Sequence, residues 1–175
     1  MNLKLKLSGR IQMNDIHEIT SFTQGNSTRK KELYNLLYDT DDMIAYQAAW
    51  TLTHLSVDDN KWLYDKQNEL IDEALICSHP GKRRLLLALL LRQPLADPLR
   101  VDFLDFCFER MNSTKELPGV KSLCMKLAYE MCRHIPELMR EMGLRLDMMI
   151  PYLLQPSMQA VRKNVLKAMK TGRSL

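Results

Sequence analysis

The chain has 175 residues, 46% of them apolar and 26% charged, with a formal net charge of +4. That balance excludes disordered and collagen-like classes, and a chain of this length forms one domain that buries about 70% of its unfolded surface without metal or disulfide staples. Six Gly and seven Pro stand against an abundance of Leu, Met, Ala, Lys, Arg and Glu, the strongest helix formers. Cys77, Cys107, Cys124 and Cys132 sit inside apolar stretches rather than in the tight spacing of a secreted disulfide framework, which predicts free thiols in a reducing compartment.

Residues 1–21 begin with Leu3, Leu5 and Leu7 alternating with Lys4 and Lys6, then an amphipathic stretch around Ile16 to Phe22. They lack the apolar core of about 7 to 15 residues that a signal peptide needs. The segment reads as a cap, with a strand-like arm as the alternative. Beyond it, helix-breaking pairs recur at equal intervals: Pro80-Gly81, Pro118-Gly119 and Pro156-Ser157, with Asp42-Met43 one interval earlier. Pro98 and Pro136 repeat the same spacing, with Asn60 at the equivalent earlier position. Proline suits the first turn of a helix, where its missing N–H has no partner and its fixed φ fits. First helices are therefore predicted near 27–39, 60–77, 98–112 and 136–154, with Asp59 and Asp97 as N-caps. Second helices are predicted near 42–56, 81–93, 118–134 and 157–171. The longest apolar run, Leu85 to Leu91, has seven residues, far short of the roughly 18 that suggest a membrane span.

The columns of this repeat are mostly apolar: Gln47, Leu85, Leu123 and Val161; Thr51, Leu89, Leu127 and Val165; Leu52, Leu90, Ala128 and Leu166; and, in the first helices, Leu70, Phe108 and Leu146. Positions i, i+4 and i+5 share one helix face. Two helices within the interval from Pro80 to Pro118 fall in the size range of helical repeat families. Pro118-Gly119-Val120-Lys121 and Asp42-Met43-Ile44-Ala45, and less closely Pro80-Gly81-Lys82-Arg83, resemble the opening of the second helix in HEAT and armadillo repeats. The resemblance implies an all-α, right-handed α–α superhelix, a solenoid of about four hairpins in a single domain over 22–173. Its repeats fall at about 22–59, 60–97, 98–135 and 136–173, behind a capping segment at 1–21.

Charge divides by helix type. Second-helix windows hold ten Lys or Arg against two acids, Asp42 and Glu130, whereas the first helices hold six against ten. The resemblance places second helices on the concave face, which makes a basic groove attractive to acidic peptide or phosphate. Tyr46, Trp50, Arg83, Lys121, Lys126 and Arg162 are the predicted binding residues. A plainer account of the same charges is a solvated helix face with cations complementing the macrodipole; for Trp50 it is packing against the N-terminal segment. Arg162, Lys163, Lys167, Lys170 and Arg173 make the last helix polar on one side, as a terminal cap requires; the alternative is that a partner covers it. Of twelve methionines, Met139, Met142, Met148 and Met149 cluster in one helix, and core packing is expected of them. Neither Cys77-Ser78-His79 nor His17, His54 and His134 gathers the partners that a metal site or a catalytic triad needs, so no metal, cofactor or catalytic residue is assigned. The resulting reading is a cytoplasmic, non-enzymatic scaffold that holds a protein or acidic peptide and does not enter a membrane. The alternative, which the resemblance admits, is a nucleic-acid-binding protein similar to the HEAT-like DNA alkylation repair glycosylases.

Overall fold

The computed structural model describes residues 1–175, whose regular structure is all helical and which divide into two compact units, Met1–Gln93 and Pro94–Leu175. The first unit opens with α1 (Leu3–Leu7), a single turn started by Asn2, whose side chain accepts the Leu5 N–H at 2.9 Å. Leu3 and Leu7 are fully buried while Leu5 is exposed. The Leu–Lys alternation therefore resolves as one helical turn at i and i+4, not as a strand. In α2 (Met13–Thr23) the apolar stripe of Ile16 and Ile19 turns inward, and the Gln12 N–H is satisfied by Asp15 at 2.8 Å.

Three hairpin helices follow, α3 (Ser27–Leu36), α4 (Asp42–Thr53) and, after an interrupted segment, α7 (Pro80–Leu91). Their caps are Asn26, Asp41 and His79, whose side chains accept from Arg29, Met43 and Lys82 N–H groups at 3.0, 2.9 and 3.0 Å. The interrupted segment differs from the predicted single helix over 60–77. It runs as α5 (Val57–Asn60), a 3-10 stretch over Lys61–Lys66, and α6 (Gln67–Ile76). Asp59 is not its N-cap. Ser56 caps it, and the nearly buried Asp59 carboxylate instead takes the Gly25 N–H at 2.9 Å and the Lys30 ammonium at 3.0 Å, tying α5 back to the start of α3.

The second unit comprises α8 (Val101–Asn112), α9 (Pro118–Cys132), α10 (Pro136–Asp147), a 3-10 turn over Pro151–Leu153, and α11 (Pro156–Met169). Pro118, Pro136 and Pro156 occupy first turns as their spacing predicts. Pro98 does not: it follows a cis Asp97–Pro98 bond, and α8 begins at Val101, behind Arg100 rather than Asp97. Phe103, Phe106, Phe108 and Met111 of α8 are buried, as are Val120, Cys124, Leu127 and Met131 of α9, the helix on which it packs. At about 1.5–3 kcal/mol for each large side chain removed from water, this pairing holds the unit's centre. All four cysteines are free and buried. Of the clustered methionines, Met142 and Met149 are in the core but Met148 is exposed, against expectation.

Candidate functional site

In the first unit the second helices α4 and α7 pack side by side. Near the start of α4 the Tyr46 ring lies on His79, centroids 5.3 Å apart. A Cβ at Gly81 would stand 2.9 Å from Tyr46 Cε2, so the close approach of the two helices there requires glycine. At the other end Arg92 donates to the Thr53 carbonyl at 2.6 Å, satisfying one of the last carbonyls of α4. These two contacts put residue 46 beside 79–81 and residue 53 beside 92, with Trp50 between them. Trp50 is partly exposed, edge-to-face with His54 at 6.1 Å. Together with exposed Arg84 and Arg92, Tyr46, Trp50 and His54 form an aromatic and basic strip on which α7 contributes no carboxylate. Beneath its Arg92 end lies a cavity of about 330 Å³, walled by Leu55, Leu63, Tyr64 and Leu89, with Asn60 and Gln93 as its polar lining.

The other predicted binding residues are placed differently. Arg83 is only 8% exposed and donates inward to the Cys77 carbonyl, just past the end of α6. It is therefore a structural arginine rather than a surface one. Lys82 is likewise withdrawn, paired with Glu73 at 2.6 Å. In the second unit Lys121 and Lys126 are partly exposed on α9, while Arg162 turns toward α10 and donates to the Leu146 carbonyl at 3.1 Å. Of the two second-helix carboxylates, Asp42 is exposed in a helix's first turn, and Glu130 pairs with Arg133 at 3.0 Å and accepts from the Ser174 hydroxyl and the Leu175 N–H, each at 2.8 Å.

Sequence reasoning missed three residues that shape this region. Arg92 joins α4 to α7, His79 caps α7 and carries the Tyr46 ring, and Gln47 holds the N-terminal segment. Gln47 is 5% exposed, and its amide donates to the Leu7 and Gly9 carbonyls at 2.6 and 2.8 Å while accepting the Ile11 N–H at 3.1 Å. The signal was present: Gln47 is the single polar member of an otherwise aliphatic column. Trp50, the candidate for that packing role, is one turn further along.

No three His, Cys, Asp or Glu side chains gather where a metal ion would be held. Burial raises the thiol pKa of Cys77, of Cys107, where a hydrogen bond with Cys124 adds to it, and of Cys132, to about 12 with a further contribution from Glu141. Thiols so held are poor nucleophiles. No helix is long and apolar enough to cross a membrane. Comparison with curated proteins and with solved structures finds no match. The family model described as the HEAT repeat domain, however, matches residues 3–169. With paired helices punctuated at equal intervals and a match spanning nearly the whole sequence, the chain belongs to the HEAT repeat domain family.

Proposed function

We propose that this helical repeat chain is a non-enzymatic scaffold that holds a protein partner, and that the α4–α7 strip of the first unit is where an acidic segment docks. The observation carrying this reading is the strip itself: Tyr46 and Trp50, both partly exposed, stand beside the exposed arginines Arg84 and Arg92, above a largely apolar cavity of about 330 Å³. Partly exposed Trp and Tyr beside Arg is the composition of interface anchors, and the cavity is of a size to take one large apolar side chain. The two arginines steer an acidic partner and set its register more than they hold it. In the second unit, taken by itself, Lys121, Lys126 and Arg162 are proposed as basic contacts for an acidic partner, and the cytoplasm is the proposed compartment.

The experiment is capture of cytosolic partners on immobilised protein, repeated with Trp50→Ala and Arg84→Glu, both checked for folding by circular dichroism. A scaffold of this kind loses its specific partner roughly 30-fold on Trp50→Ala, the loss of about 2 kcal/mol usual for an anchor. Duplex and single-stranded DNA are titrated in parallel at low and physiological salt. Retained capture by both variants sinks the strip as the docking site. DNA binding that falls steeply with salt and with Arg84→Glu replaces the protein-partner reading with the nucleic-acid one.

A further inference from the structure

The second unit carries a different surface, and its repeat geometry indicates what fits there. Two faces of α9 are buried. One meets α8, where Cys124 lies beside Cys107. Further round, Met125, Tyr129 and Cys132 are all fully buried, and α10 and α11 pack on α9: the Tyr129 hydroxyl donates to the Arg173 carbonyl, and the charge of Glu141 reaches the Cys132 thiol. This is the face by which one helical hairpin receives the next.

One repeat later, by the interval that carries Pro118 to Pro156, the same three columns are Lys163, Lys167 and Lys170, all exposed on α11 and its C-cap and none in an ion pair. No Asp or Glu stands between Met148 and Leu175, so nothing in that stretch neutralises them. In the same hairpin the apolar surface is open rather than polar. Leu144 is 62% exposed, whereas Phe106, its equivalent in α8, is 8% exposed; Met148, Tyr152 and Leu153 follow at 71, 82 and 68%. A purely solvated cap has no use for five large exposed apolar side chains between Leu144 and Leu153, Ile150 among them, and such clusters mark interaction sites.

We propose that the Lys163–Lys167–Lys170 face of α11, together with Leu144, Met148, Tyr152 and Leu153, is a docking surface for an acidic amphipathic helix of a partner protein. The fold already seats a helix against the equivalent face of α9, so the receptor is shaped for a cylinder of about 10 Å. Lysines spaced i, i+4 and i+7 line up on one side of α11, and they match glutamates at the same spacing. An apolar helix laid there would bury three ammonium groups without partners, which is costly. A second copy of this face would bring lysine to lysine. Acidic residues on one stripe and aliphatic residues on the adjacent one satisfy both parts of the surface, the helix-in-groove mode. This surface is independent of the α4–α7 strip.

The test uses the full chain and a fluorescein-labelled, helix-stapled peptide of 14 residues, the length of α11, with a Glu stripe beside a Leu stripe. Its charge-reversed Lys counterpart and vesicles of phosphatidylserine and phosphatidylcholine serve as comparisons. The expected result is saturable anisotropy with the acidic peptide, weakened at least about 10-fold by K163E/K167E/K170E and again by Y152A/L153S, with Trp50→Ala removing only the share that the α4–α7 strip binds. All five substituted positions are exposed, so the fold survives, and circular dichroism checks it. Absence of binding at low salt, binding unaffected by the lysine reversals, or equal binding of the Lys peptide overturns the proposal. Vesicle binding in place of peptide binding also overturns it, in favour of a lipid surface.

Discussion

Gln47 fills a column otherwise occupied by Leu85, Leu123 and Val161, and its amide satisfies two carbonyls and one N–H in the bend between α1 and α2. Water cannot readily substitute, because the residue is buried. Gln47→Ala strands those backbone groups, each at about 1–3 kcal/mol when buried and unpaired. Urea denaturation is expected to show a loss of roughly 3 kcal/mol, and the Ile11 amide should lose its hydrogen-exchange protection while the α9 amides keep theirs. Arg83 illustrates why single residues are the hardest scale to read from sequence. It shares its charge and its neighbourhood with exposed Arg84, yet one step around a helix is about 100°, which is the difference between facing solvent and facing the Cys77 carbonyl. Composition and charge windows count both arginines alike.

At the scale of elements, proline punctuation was a sound guide where proline stands in the first turn, at Pro80, Pro118, Pro136 and Pro156, because its geometry there is fixed by the ring. It misled at Pro98, which sits in the connection before α8. The break between α5 and α6 was illegible because the apolar columns of that helix, Leu63, Leu70 and Ala74, stay buried whether the intervening turns are α or 3-10. What aligns the segment on its neighbour is a side-chain tie: the Tyr34 hydroxyl of α3 donates to Glu69 of α6 at 2.7 Å and shares a second bond with Tyr38 at 2.9 Å, while the Trp62 ring stands edge-on to Tyr34 at 5.6 Å. Tyr34→Phe keeps the ring packing and removes the tie. The expected loss is about 1 kcal/mol, with Tyr34→Ala costing several times more; thermal melts of both variants separate the bond from the ring.

For the whole molecule, the constant interval between helix-starting pairs established the helical hairpins and pointed to the family, since it is imposed at every repeat and survives errors at any one position. The chain's carboxylates predict its acid behaviour. Asp59 is held below the usual carboxylate range chiefly by the Gly25 N–H, with Lys30 and Ser56 adding to it against an opposing effect of burial; Glu69 is lowered by Tyr34, and Asp102 by Arg100. A carboxylate whose folded pKa lies below its unfolded value of about 4 stabilises the fold above that pH. That contribution is lost as the pH falls through the folded pKa. Stability is thus expected to be flat near neutrality and to decline below about pH 4, and Asp59→Asn should flatten part of the decline when urea titrations are compared across that acid range.

The Gln47 clamp also orders events during synthesis. The ribosome makes α1 before α3 and α4, the helices it packs against, and the backbone just after Leu3 and Leu7 waits for an amide up to 40 residues downstream. Until Gln47 clears the exit tunnel, the Leu7 and Gly9 carbonyls and the Ile11 N–H lack the side chain that satisfies them in the fold, so the bend after α1 is settled only once α4 has been made.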